Sequence, residues 1–105
     1  MVGMEELEGI EIMMTIETGE IELRPEVRKF AEAMELKLRQ NAHKGDTWKR
    51  DSFDALYSRL VEESLELRDL FDKDSPSKSM VLKEAADISN FCMFVSDNFG
   101  GLMDD

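Results

Sequence analysis

The sequence predicts an all-α fold, on two observations: three long segments repeat apolar residues at intervals of three and four, and each is bounded by residues that start or stop helices. The plan is three main helices in one domain over residues 25–101, a short N-terminal extension over 1–24, and a tail over 102–105.

The extension alternates Ile10, Ile12, Met14 and Ile16 with polar residues. A Gly19-containing turn and then Ile21 and Leu23 follow, which fits a short β-hairpin or a flexible leader. No chemistry attaches to it. Pro25 suits a first helical position, and Val27, Ala31, Met34, Leu38 and Asn41 form one stripe, giving a helix over about 25–41. Residues 42–50 contain Gly45, lack periodicity and read as a loop. Asp51 is placed as N-cap of a second helix over about 52–71, on the repeat of Phe53, Leu56, Leu60, Leu67 and Leu70. Ser75 as N-cap with Pro76 at the first position opens a third helix. It runs through Met80, Phe91 and Phe94 to about Asn98, where Gly100 and Gly101 end it.

The 105 residues are 42% apolar, with no run long enough to span a membrane. The start lacks the basic and apolar regions of a signal peptide, and the lone Cys92 has no internal disulfide partner. A cytoplasmic location is expected, the host's cytoplasm if the source is viral. Cys92 falls in the apolar stretch from Ile88 to Val95 and is expected to pack rather than react. With 24 acidic against 13 basic residues and a net charge of −11, the chain lacks the basic stripe of a nucleic-acid binder. A polyanionic ligand needs metal cations or a local basic patch.

The acids are where the chemistry lies. Positions 56, 60, 63, 67 and 70 form a core stripe reading Leu, Leu, Glu, Leu, Leu, with Glu66 about 60° around the helix from Glu63 and Glu62 at the stripe's edge. Positions 80, 84, 87, 91 and 94 repeat the spacing and read Met, Glu, Asp, Phe, Phe. A single Glu-x-x-Glu is ordinarily a solvated helix face. Two acid pairs that both interrupt apolar stripes need a counter-charge, because burying uncompensated carboxylates is costly. Mg²⁺ binds one or two carboxylates and leaves positions for water and substrate phosphates, so the cluster reads as a metal site open to a phosphate ligand. A di-iron bundle would use Glu-x-x-His pairs, and the one histidine, His43, lies in the first loop.

Glu62-Glu63-Ser64-Leu65-Glu66, a gap of 17 residues, then Glu84-Ala85-Ala86-Asp87 resembles the EExxE…ExxD signature of the MazG-like all-α NTP pyrophosphohydrolases. A closer likeness, over about residues 24–101, is to the phage MazZ-type dATP/dGTP diphosphohydrolases and their cellular relatives. Asn41-Ala42-His43-Lys44-Gly45 with Trp48, and Glu84 through Phe91, carry it. The resemblance implies cleavage of a nucleoside triphosphate between the α and β phosphates, giving monophosphate and diphosphate, with a lean toward dGTP and dATP. It places Glu63, Glu66, Glu84 and Asp87 at the metal-ligand positions and Glu62 at the leading acid. Mg²⁺, with Mn²⁺ as a substitute and more than one ion per site, is the implied cofactor. Glu62 and Glu63 are both candidates for the general base.

Substrate contacts are expected from Asn41, His43, Lys44, Trp48 and Asn90. Lys44 suits a phosphate or is an ordinary loop lysine, and Trp48 stacks on a base or caps the core. His43 meets substrate or caps the first helix. Asn41 and Asn90 are amides near the metal face suited to reading sugar or base, Asn90 the better placed. Three helices cannot easily enclose four carboxylates and a nucleotide, so a four-helix-bundle core formed by dimerisation, as a homodimer or homotetramer, is expected. The alternatives are a house-cleaning pyrophosphatase of broad or pyrimidine specificity and, from another class, an acidic helical interaction module without catalysis.

Overall fold

The computed structural model describes residues 21–45, 47–73 and 75–103, and among these the regular structure is helical throughout. Helix α1 spans Pro25–Gln40, α2 spans Phe53–Asp72 and α3 spans Lys78–Phe99. Two short 3₁₀ turns, Ala42–Lys44 and Thr47–Arg50, occupy the segment expected to be loop. The expected hairpin lies outside the described residues, except for 21–24, which lead into α1 without regular structure. None of the described helices is long and apolar enough to cross a membrane.

Local chemistry sets the helix ends, in two cases one or two residues from where the sequence places them. Ser52, not Asp51, caps α2, because its hydroxyl accepts from the Ala55 N–H at 3.1 Å. The Asp51 N–H instead closes the preceding turn on the Trp48 carbonyl at 3.1 Å. Helix α3 starts after Ser77, whose hydroxyl accepts from the Met80 N–H at 3.2 Å, so Ser75 and Pro76 lie ahead of the helix. Its C-terminus ends as expected at Gly100 and Gly101, the latter at φ 67°.

Helix α3 is central, packed against α2 on one side and α1 on the other, with the Thr47–Arg50 turn against it as well. On α2 the stripe predicted from spacing is the inward one: Leu56 is 1% exposed, and Leu60, Glu63, Leu67 and Leu70 are half-buried. On α3 the most buried line is Ala86, Asn90 and Phe94, and from Asn90 at its centre Asp87, Phe91 and Glu84 lie about 60°, 100° and 120° around the helix. Serving two neighbours gives α3 two inward faces, and the acids and Phe91 flank the deeper one. Met80, expected in the stripe, is exposed, and so is Cys92, which sits on the far side of the helix. On α1 the inner face is Phe30, Ala33, Met34, Lys37 and Leu38, one step round from the predicted stripe, so Val27, Ala31 and Asn41 are exposed.

Asn90 ties the centre together. It is 4% exposed, and its side-chain N–H donates to the Met34 carbonyl of α1 at 3.1 Å. Leu56, Ala86 and Phe94 are the buried apolar side chains among the described residues, which is a thin core for a single chain. Leu56→Ala is therefore expected to lower unfolding free energy by about 2–5 kcal/mol, a large part of a small domain's stability. Urea titration measures it, and a loss below ~1 kcal/mol would show that the site collapses around the cavity.

Candidate functional site

The acids that interrupt the two stripes meet across the α2–α3 interface. Glu63, Glu84 and Asp87 each offer one carboxylate oxygen, all within 4.8 Å of one another, and all three residues are half-buried. Glu66 is more exposed, and its side chain touches both Glu63 and Glu84 from the rim of this group. Its charge also reaches Glu63 and Glu84. Glu62 is farther out: its side chain is more than half exposed and its carboxylate pairs with Arg59, one turn back, at 3.3 Å.

Glu63 and Asp87 also line a cleft of about 630 Å³, between the end of α1, the two 3₁₀ turns and the facing parts of α2 and α3. That volume falls in the usual range for small-molecule pockets. Of the residues expected to touch substrate, Asn41, Lys44, Trp48 and Asn90 line it and His43 does not. His43 is exposed in the first turn. Asn41 is also exposed, and its side-chain N–H caps α1 on the Lys37 carbonyl at 3.2 Å.

The cleft wall carries basic groups that balance its acidic end. Lys37, Arg39, Lys44 and Arg59 all line it. The Lys37 ammonium lies 3.4 Å from the Asp87 carboxylate, with each side chain about one-fifth exposed (20% and 21%). Arg39 pairs with Glu35 at 3.0 Å. Lys37 was not singled out from the sequence. The available signal was a lysine three residues after Met34 and four after Ala33, on the α1 face that packs inward.

An aromatic ladder forms the rest of the wall. Trp48 stacks on Phe94 with ring centres 4.3 Å apart and planes at 13°, Phe91 meets Phe94 edge-on at 5.4 Å, and the Arg59 guanidinium lies 5.4 Å from the Phe91 ring. Trp48 thus packs on Phe94, has the Lys49 ammonium 5.2 Å from its ring centre, and lines the cleft. The Asn98 side-chain N–H holds the Trp48 carbonyl at 2.7 Å, fixing the second turn to α3. Gly45, between the turns, sits at φ 70° and ψ −170°, a region essentially restricted to glycine.

Two buried oxygens at this site lack a hydrogen-bond partner, Oε2 of Glu84 and Oδ1 of Asn90. An orphaned carboxylate oxygen beside two more carboxylates suits a hard divalent cation, and an orphaned amide oxygen at a cleft suits a ligand donor. The donor set of Glu63, Glu84 and Asp87 fits Mg²⁺, with Glu66 at the rim. Comparison with family models, with curated proteins and with solved structures found no match for this chain.

Burial, and after it the crowding of like charges, shows in the protonation of the acids. Glu63 is pushed from its ordinary value of 4.5 to about 7, first by burial and then by the charges of Glu66 and Asp87. Glu84 is also raised, by burial and then by Glu66, with its contact to Glu63 acting in the opposite direction. Between pH 4.5 and about 7 the folded chain keeps a proton on Glu63 that the unfolded chain has released. The folded state then binds more protons, so this group's contribution to unfolding free energy falls as pH rises through that window. Without metal, the wild type should lose stability relative to Glu63→Gln as pH rises from 4.5 to 7. Denaturant melts across that range measure the difference, and parallel profiles would place the proton elsewhere.

Proposed function

We propose that the chain is a Mg²⁺-dependent nucleoside triphosphate pyrophosphohydrolase, converting a dNTP and water to the monophosphate and diphosphate. The observation that carries this reading is the convergence of Glu63, Glu84 and Asp87 within 4.8 Å, at the acidic end of a cleft with a basic and aromatic wall. Metal-binding carboxylates, phosphate-binding cations and a flat apolar surface are the three parts that a nucleoside triphosphate site requires. The resemblance of Glu62–Glu66 and Glu84–Asp87 to the MazG-like signature supports it, and the likeness to MazZ-type enzymes favours purine substrates.

In this reading Glu63, Glu84 and Asp87 would hold the cation, with Glu66 in contact with Glu63 and Glu84 at the rim. When bound there, Mg²⁺ would supply charge neutralisation for the triphosphate, polarisation of the α-phosphorus and activation of the attacking water. Lys44 meets the phosphates from the Gly45 turn. Asn90, held by its bond to Met34, accepts a hydrogen bond through Oδ1 from a sugar hydroxyl or base N–H. Trp48 and Phe91 form the apolar wall. Of the two candidate bases, Glu63 lies in the cluster while Glu62 faces outward to Arg59, which favours Glu63.

The interaction-module alternative requires the acids to be surface charge, and the half-burial of Glu63, Glu84 and Asp87 counts against it. Products after incubation with each dNTP and NTP plus Mg²⁺, separated by chromatography, test the reading. Monophosphate and diphosphate are expected, and the substrate panel separates purine preference from a broad or pyrimidine-directed house-cleaning activity. Orthophosphate with nucleoside diphosphate as main products would reject the chemistry. Glu63→Gln and Asp87→Asn should lower turnover by orders of magnitude, yet leave the metal-free protein no less stable, because they relieve charge repulsion. Mg²⁺ should raise the wild-type melting temperature by linkage and raise the variants' much less. Equal shifts with retained turnover would remove both residues from the site.

The same reading includes a homodimer or tetramer with a four-helix core. Phe53, Tyr57, Val61 and Leu65 run along one side of α2, 40–64% exposed, and Phe53 meets the exposed Phe99 edge-on at 6.3 Å. A contiguous apolar face of this kind on a thin core supports pairing with a second copy. Light scattering should find a dimer or larger, and Leu65→Lys should shift it toward monomer. An active, monodisperse wild-type monomer would contradict the assembly.

A further inference from the structure

We propose that Lys37 is a counter-ion with two alternative partners: it holds Asp87 while the carboxylate cluster lacks a divalent cation, and transfers to the polyphosphate of the ligand when that cation is bound. This inference rests on the reading of the cleft as a metal and triphosphate site.

Among the described residues, Lys37–Asp87 is the ion pair that crosses between helices. The others join residues three or four apart on one helix, or at its end, and are largely exposed. The cleft's other cations lie differently. Arg39 and Arg59 are engaged by Glu35 and Glu62, and Lys44 is exposed on the first turn. Lys37 alone among them contacts a member of the carboxylate cluster.

The Asp87 oxygen that faces Lys37 at 3.4 Å belongs to a residue whose carboxylate also faces Glu63 and Glu84. A divalent cation bonded to that carboxylate would stand about 2.0–2.1 Å from its oxygens, close enough to the ammonium for the two positive charges to repel. The lysine stem has four rotatable carbons, so Nζ can move by several ångströms through staggered rotamers while α1 stays in place. Lys37 already lines the cleft, so the open direction for the displaced ammonium is the volume where phosphates would lie. Metal and triphosphate then bind with positive coupling: the first releases the lysine that the second requires, and the coupling is reciprocal.

The test uses Lys37→Met, which keeps an apolar stem and removes the charge, and Lys37→Arg, which keeps the charge. Calorimetry measures Mn²⁺ binding without nucleotide, then binding of a non-hydrolysable α,β-methylene dNTP analogue at saturating Mn²⁺. Lys37→Met should bind Mn²⁺ more tightly and the analogue more weakly than wild type, each by about tenfold, within the usual range of site-to-site coupling. Lys37→Arg should follow the wild type in both. A purely structural salt bridge gives another pattern, with Mn²⁺ affinity unchanged or reduced and analogue affinity unchanged. Either of those results in a variant that keeps its helical circular dichroism would overturn the proposal. Wild-type Mn²⁺ binding that Glu63→Gln abolishes, together with an unresponsive Lys37→Met, removes the lysine's role and leaves the metal site standing. Wild-type protein that binds no Mn²⁺ overturns both.

Discussion

Three carboxylates held within 4.8 Å of one another, each half-buried, set the terms for the rest of this molecule. Like charges at that separation repel strongly wherever water is partly excluded, and the fold must offset that repulsion in every state it occupies. Two offsets are visible. Glu63 retains its proton to about pH 7, and the Lys37 ammonium stands against Asp87. Both are partial, since the Glu84 Oε2 atom remains buried without a partner. The bundle is therefore organised around a charge that its own side chains reduce but do not cancel.

Helix α3 distributes the tasks of the site along successive turns. Glu84 and Asp87 face the acids of α2. One turn on, Asn90 binds α1 through its amide N–H and leaves its carbonyl oxygen free. Phe94 supplies the surface on which Trp48 stacks, and Asn98 grips the backbone of that same tryptophan. A loop made of two short 3₁₀ turns, with few stabilising contacts of its own, thus takes its position from α3. Because one helix carries Glu84 and Asp87, the free amide oxygen and the anchor of the aromatic wall, their relative placement is set within a single element.

Much of this was legible in the chain. The three helices follow from periodicity, and the acids in the stripes of α2 and α3 point to their convergence because helical spacing alone puts Glu63, Glu84 and Asp87 on inward faces. Other features depend on how the helices rotate against one another, which periodicity does not specify. The α1 face is offset by one position, so Asn41 turns outward and Lys37 inward. Glu62 and Glu63 are adjacent in sequence, but 100° of helical rotation sends one to Arg59 and the other to the cluster. The dual use of Asn90 was beyond reach for a similar reason, since its Met34 partner lies 56 residues away. Ser52 and Ser77 show a smaller effect: where two capping residues are close together, the one whose hydroxyl reaches the third N–H along sets the boundary.

The stack of Trp48 on Phe94 has a practical side. The chain holds one tryptophan, and its indole, stacked on Phe94 and with the Lys49 ammonium 5.2 Å from the ring centre, lines the cleft. Near-ultraviolet fluorescence excited at the red edge comes almost wholly from that single ring. A group entering the cleft alters the polarity and quenching around it, whereas events on the far side of α3 do not reach it. The protein thus carries an optical probe at its candidate site, and occupancy can be followed on the native chain without a label.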